Sequence, residues 1–190
     1  IQRSRGLGDV YKRQTKDGKI TGLHCHTTAD HGAFDACADP TKFPAGFMNI
    51  CTGSYDIPTA YLAVDGIYTN KAPGGVAYRC SFRVTEAAYF IERMIEVLAI
   101  KLDMDAAELR ARNFIKKDQF PYQSALGWEY DSGDYHTGWE KALKAVGYED
   151  LRKEQAERVE AFKRGETRTL LGIGLSPVSY THLTLPTNGL

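Results

Sequence analysis

Apolar side chains recur at two different periods along this chain, and the periods predict its elements. From Ile20 to Phe34 they alternate, with Leu23, Cys25 and Thr27 on one face and His24, His26 and Thr28 on the other, the two-residue period of a strand. Lys16-Asp17-Gly18-Lys19 ahead of it predicts a tight turn with Asp-Gly at its centre. Pro40, Pro44 and Gly46 interrupt the segment that follows. A second strand is predicted from Ala60 to Asn70, where Tyr61, Ala63, Asp65, Ile67 and Thr69 oppose Leu62, Val64, Gly66, Tyr68 and Asn70.

Pro73-Gly74-Gly75 then opens a loop whose backbone can turn sharply and approach a ligand closely. Beyond it the period becomes helical. Val84, Ala87, Ala88, Ile91, Met94, Ile95, Leu98, Ala99 and Leu102 form one stripe, with Glu86, Glu92, Arg93 and Glu96 off it. This predicts a long amphipathic helix packed on a sheet, with the loop at its N-terminal end. A second helix is expected to start at Asp105, with Glu108 completing an acidic capping box, and to end after Leu109, Asn113 and Phe114. Lys116 to Gly133 reads as loop, Asp134 to Gly147 and Glu149 to Phe162 as helices, and Thr167 to Leu175 as the start of a strand. Strands and helices mix without strict alternation, so the expected class is α+β.

Composition narrows the picture. The 190 residues suffice for one domain with a core, and 24 Lys and Arg balance 24 Asp and Glu, so no charge excess recommends a nucleic acid or an anionic membrane as partner. No apolar stretch is long enough to span a bilayer, and the N-terminal residues lack the apolar run of a secretory signal. Cys25, Cys37, Cys51 and Cys80 form no C-x-x-C pair and match no common zinc spacing, so reduced thiols are expected.

The ends differ from the middle. Gly6-Leu7-Gly8-Asp9-Val10-Tyr11-Lys12-Arg13-Gln14 and Ser179-Tyr180-Thr181-His182-Leu183-Thr184-Leu185-Pro186-Thr187-Asn188 both resemble translated sequencing-adapter DNA. Residues 1–14 and 176–190 are therefore set aside as non-native, leaving 15–175 as a partial domain, an internal piece of a longer protein.

Cys80 carries the candidate chemistry. It lies between the Gly-rich turn and the start of the long helix, flanked by Arg79 and Arg83. Helix-end amides and nearby cations favour thiolate over thiol, so Cys80 is a candidate nucleophile or soft-metal ligand, set against the ordinary alternative of an inert buried cysteine.

The segment Val76-Ala77-Tyr78-Arg79-Cys80-Ser81-Phe82-Arg83 resembles the active-site loop of the aerobic carbon monoxide dehydrogenases' large, molybdenum-binding subunit, in the xanthine oxidase (molybdenum hydroxylase) family. Ala29-Asp30-His31-Gly32-Ala33-Phe34, Thr52-Gly53-Ser54-Tyr55-Asp56-Ile57, Tyr68-Thr69-Asn70-Lys71-Ala72-Pro73 and Gly127-Trp128-Glu129-Tyr130-Asp131-Ser132-Gly133-Asp134-Tyr135 are similar to the same subunit. Glu108-Leu109-Arg110-Ala111-Arg112-Asn113-Phe114-Ile115 has a form shared by the wider family.

The resemblance implies an internal fragment of the molybdopterin-binding domain of a molybdenum hydroxylase. It implies molybdopterin cytosine dinucleotide with molybdenum, and Cu(I) bridged between the molybdenum's sulfido group and the Cys80 thiolate. Soft Cu(I) prefers sulfur and can bind the carbon of carbon monoxide, which hydrogen bonds cannot hold. Such a centre oxidises CO with water to CO2. Relatives acting on purines, aldehydes or N-heterocycles generally have glycine where Cys80 stands. Arg79 corresponds to an arginine against the cofactor, and Phe82 is a candidate wall of a dry catalytic pocket or a core residue. Ser81, Tyr78 and Arg83 are candidates for orienting the metal ligand. The implied partners are a flavin-binding (FAD) medium subunit and a small subunit with two [2Fe-2S] clusters, in a dimer of heterotrimers, cytoplasmic and able to associate with the inner face of the membrane. Two rivals stand beside this reading: a molybdenum hydroxylase with an aldehyde or heterocyclic substrate, and an inert segment lacking the catalytic glutamate and most cofactor loops.

Other residues invite site readings that the sequence does not favour. His24 and His26 share a strand face with Cys25 pointing away, so even with His31 nearby a tetrahedral metal site would need more ligands from elsewhere. Cys37 and Cys51 read as structural. Tyr122, Trp128, Tyr130 and Tyr135 read as packing or subunit-interface residues, and Glu86 as a solvated first-turn glutamate.

Overall fold

The computed structural model of the chain describes residues 4–5, 8–30, 32–33, 50–72 and 84–177, with 4–5, 8–12 and 84–85 described by backbone only. Four strands, β1 (Ser4–Arg5), β2 (Gly8–Gln14), β3 (Ile20–Asp30) and β4 (Ala60–Ile67), form one sheet in chain order. The β1–β2 and β2–β3 pairs are antiparallel, whereas β3 and β4 run parallel, from Leu23 opposite Ala60 to Asp30 opposite Ile67. Residues 8–14 show no strand period in sequence, yet they pair along β3, because main-chain groups and not side-chain pattern make a ladder. The β2–β3 turn forms as expected: the Gly18 amide donates to the Thr15 carbonyl at 3.1 Å. Gly18 has φ +89°, and a Cβ there would meet Leu109 Cδ1 at 2.8 Å, so only glycine fits.

Helix α1 (Val84–Leu102) matches the long apolar stripe. Ala87, Ile91, Ile95, Leu98 and Ala99 are buried and form one core with Ile20, Leu23 and Cys25 of β3, Leu62 of β4, and Tyr55, Ile57, Leu109 and Phe114. Helix α2 (Ala106–Asn113) is capped by Asp105, whose Oδ1 accepts from Ala107 N at 2.8 Å and Glu108 N at 3.2 Å. The expected capping box is half formed, since Glu108 pairs with Arg112 one turn later. Asn113 closes α2 and ties it to the sheet. Its Oδ1 accepts from Ile20 N at 2.7 Å, and its Nδ2 donates to the carbonyls of Gly18 and Leu109, both at 2.9 Å.

Helices α3 (Tyr135–Val146) and α4 (Tyr148–Lys163) follow where two helices were predicted. The architecture is α+β, as the mixed pattern implied.

Several boundaries differ from the sequence reading. The ladder ends at Asp30 in β3 and at Ile67 in β4, three residues before Asn70. Lys116 to Gly133 holds a 3-10 turn (Lys117–Gln119) and a small hairpin of β5 (Tyr122–Gln123) and β6 (Glu129–Tyr130). Thr167 to Leu175 is not a strand. Side chains take its carbonyls instead of a neighbouring strand: Gln155 Nε2 donates to Leu171 O at 2.9 Å and Arg110 Nη2 to Leu175 O at 3.1 Å.

The largest departure concerns Glu92, which the stripe leaves on the polar side. It is buried at 8% exposure and faces Arg110, the largest fully buried side chain among the described residues, at 1%. Arg110 Nε donates to Glu92 Oε2 at 2.8 Å, and Arg110 Nη1 donates to Ala106 O at 3.0 Å and Glu96 Oε2 at 3.3 Å. The Tyr55 hydroxyl donates to Glu92 Oε1 at 2.7 Å. Burial first, then the Glu92 carboxylate, pushes that hydroxyl well above the usual tyrosine range and keeps it a donor.

Arg110→Ala strands the Glu92 carboxylate in the core and is expected to cost about 3–5 kcal/mol. The double change Arg110→Met with Glu92→Leu removes both charges and should recover most of that loss. Chemical denaturation of the variants checks the pair, and a loss near zero for Arg110→Ala would show that water reaches Glu92.

Candidate functional site

Arg79, Cys80 and Phe82, with Tyr78, Ser81 and Arg83, lie outside the described residues, as do His31 and Cys37. The structure describes the two anchors from which that segment is strung. Cys80 stands nine residues after Lys71 and four before the start of α1 at Val84.

The anchor before the segment is built from two of the quoted motifs, forty residues apart in sequence. Past the last β3–β4 pair, the chains stay joined by two more main-chain bonds: Thr69 N donates to Gly32 O at 2.8 Å and Ala33 N to Lys71 O at 3.0 Å. Gly32 sits at φ +75° and is buried, a left-handed kink that a side chain would strain. Asp30 ties the junction together. Its Oδ1 accepts from the Thr69 hydroxyl at 2.7 Å and from Gly32 N at 2.9 Å, and its Oδ2 pairs with Lys71 Nζ at 3.0 Å. Thr69, then the Gly32 amide, then Lys71 hold the Asp30 carboxyl down to about 2.

The anchor after the segment is α1. Its apolar stripe is sunk in the core, and Glu92, in its third turn, is fixed by Arg110 and Tyr55. Glu86 lies exposed in the first turn, in line with its reading as a helix-start carboxylate.

His24 and His26 are engaged by neighbours on the sheet. His24 packs its ring against Tyr61 with centroids 4.9 Å apart, while exposed His26 bonds Asp65 of β4 through Nε2. Cys25 points to the opposite, buried side, where Cys51 and then Thr27 hydrogen-bond its sulfur. Among the described residues no three His, Cys, Asp or Glu side chains come together as a metal site.

The aromatic residues of the hairpin region pack. Tyr130 donates its hydroxyl to Gly53 O at 2.8 Å and stands 6.2 Å from the Tyr122 ring, while Tyr135 lies 5.9 Å from Phe120. Sequence reasoning missed the joint role of Asp30, Thr69 and Lys71. Both motifs were visible, but nothing in the sequence says that β3 and β4 are parallel neighbours, which is what brings them together.

Comparison with known proteins agrees with this frame. The family model described as the molybdopterin cofactor-binding domain matches residues 3–114. The chain is 69% identical over 162 residues to the carbon monoxide dehydrogenase large chain of Afipia carboxidovorans, covering 85% of this chain and 20% of that protein. It is 64% identical over 171 residues to the large chain of the same name from Hydrogenophaga pseudoflava, covering 89% of this chain and 20% of that one. Among solved structures it superposes on a Cu,Mo-CO dehydrogenase in a carbon monoxide reduced state, with a TM-score of 0.79 and 67% identity over 85% of this chain and 20% of that chain. The chain thus spans about a fifth of the length of the curated relatives it matches.

The Asp30 junction has a defined pH dependence. Its folded-state value near 2 lies below the ordinary 3.8, so its contribution is fully present above about pH 4 and is lost as pH falls through 2. A carbon-detected titration of the Asp30 carboxyl is expected to show a midpoint near 2; a midpoint near 4 would mean that the three donors are not in place.

Proposed function

The chain belongs to the molybdopterin cofactor-binding family, and from that premise we propose that it is a segment of the catalytic subunit of a carbon monoxide:acceptor oxidoreductase. The observation that carries the reading is Cys80 itself, set in Val76-Ala77-Tyr78-Arg79-Cys80-Ser81-Phe82-Arg83 on a chain 69% identical to a carbon monoxide dehydrogenase large chain. A hydroxylase of aldehydes or heterocycles has no use for a thiolate at that position.

The donor set fits a copper ion shared with a cofactor. One thiolate supplies a single soft donor, which suits Cu(I) when a second sulfur comes from the cofactor. In this reading Cys80 would hold the copper, Arg79 would bind the molybdopterin, and Phe82 would help exclude water from a small apolar pocket. When bound, the centre supplies a two-electron oxidation, in which CO and water give CO2, two protons and two electrons.

The chain's own part is to hold the thiolate still. The Asp30 junction fixes the backbone at Lys71, and the buried Glu92–Arg110 pair fixes α1, the described residues on either side of the segment. We extend the proposal to the partners: a flavin subunit and a [2Fe-2S] subunit that take the electrons onward, in a cytoplasmic dimer of heterotrimers using molybdopterin cytosine dinucleotide.

Cys80→Ala in the full-length parent subunit is expected to abolish copper binding and CO oxidation while molybdenum stays bound. Metal analysis and CO-dependent dye reduction measure both. Retained CO oxidation in the copper-free variant would sink the copper role.

A further inference from the structure

We propose that Cys25 and Cys51 are a redox pair: a peroxide joins their sulfurs in a reversible disulfide that staples β3 to the turn leading into Tyr55. The pair lies wholly within the described residues and is independent of the reading of Cys80.

Both thiols are free and fully enclosed, at 0% exposure. A buried cysteine is ordinarily an inert packing residue, but here two of them meet. The Cys51 thiol hydrogen-bonds the Cys25 sulfur, which also contacts the Thr27 hydroxyl at 3.3 Å. Each backbone is fixed on its own account. Cys25 is paired on both sides, opposite Val10 of β2 and Leu62 of β4. Cys51 sits in a turn closed by Gly53 N donating to Ile50 O at 2.9 Å. Two ordered elements therefore keep the sulfurs in contact, the condition that a disulfide demands.

The surroundings favour a disulfide over a metal. Among the described residues no third His, Cys, Asp or Glu joins the pair, and the core cluster they share is apolar. Two thiolates around a monovalent ion would leave a net charge there, whereas a disulfide is neutral.

The reaction balances with one peroxide. The hydrogen bond from Cys51 draws the Cys25 thiol below its ordinary range against the opposing effect of burial, so Cys25 is the attacking sulfur. It takes one peroxide oxygen as the O–O bond breaks, giving a sulfenic acid and water. The Cys51 sulfur then displaces that oxygen, so the S–S bond forms and a second water leaves. Two thiols and one hydrogen peroxide give one disulfide and two waters.

The staple acts on a junction. Just after Cys51, Gly53 O accepts from the Tyr130 hydroxyl, Ser54 O accepts from Ile115 N, and Tyr55 donates to Glu92. Tying residue 51 to β3 closes the loop 25–51 covalently and restrains this junction when the core opens.

The test gives the full-length holoenzyme a prolonged exposure to hydrogen peroxide, alkylates the remaining thiols under denaturing conditions, and maps the peptides by mass spectrometry. A linked Cys25–Cys51 peptide is expected, reversed by dithiothreitol. Because both thiols are buried, it forms by local opening and more slowly than oxidation at exposed sites. Hydrogen exchange at residues 50–57 is expected to slow about tenfold in the oxidised enzyme. Cys51→Ser should lose the link and leave Cys25 to over-oxidise to sulfinic acid. If both wild-type thiols remain open to alkylation, or Cys25 becomes sulfinic acid without the link, the pair is not a redox pair. A link with unchanged exchange at 50–57 overturns the staple.

Discussion

A buried arginine organises this chain. Arg110 is almost wholly enclosed, and an unpaired guanidinium there would be prohibitively costly to desolvate. Its partners therefore come from every layer around it: Glu92 and Glu96 on α1, the Ala106 carbonyl at the start of its own helix, and the Leu175 carbonyl far along the chain. Tyr55 fills the remaining acceptor of Glu92. A hydrophobic contact would tolerate sliding of α1 along its axis. A charge satisfied from several directions does not, so the pair sets the rotation and register of α1 on the core. Everything attached to the N-terminal end of α1 inherits that placement.

The same logic operates at the other anchor with exposed groups. Asp30 sits where water could serve each donor, so the junction contributes little to global stability. Its value is directional, since it fixes residues 69–71 against residues 30–33. A core ion pair at one end and a surface carboxylate clamp at the other make a division of labour. One end is held by the buried core, while the other rests on exposed contacts. Cys80 is closer in sequence to the strongly held end, four residues from α1 against nine from Lys71.

Much of this was legible in the residues, and the exceptions share a cause. The α1 stripe, the Asp105 cap, the Asp-Gly turn and the α3 and α4 helices follow from local rules, and all appear in the structure. Strand orientation, the pairing of β2, which lacks any strand period, with β3, and the absence of a strand at Thr167 to Leu175 depend on partners distant in sequence. Glu92 shows the limit most plainly. Periodicity marks it polar and hence solvent-facing, and only the arrival of Arg110 from another helix makes a buried glutamate tolerable. Asp30 is the mirror case: its motif was conspicuous, but its partners were separated from it by a crossover that no local rule reveals.

Fold and chemistry separate cleanly along this chain. Strands, helices, ion pair and clamp amount to a frame that holds a short segment at two points, and nothing in that frame specifies a substrate. A frame of this kind can serve quite different reactions, because function resides in the site it carries. In the proposed function, a thiol at position 80 would turn one position of the segment into a soft-metal ligand. That asymmetry sets the demand on the anchors. A glycine needs only to stay out of the way of a substrate, whereas a thiolate sharing a copper ion must hold its sulfur within a few tenths of an ångström of the bonding distance.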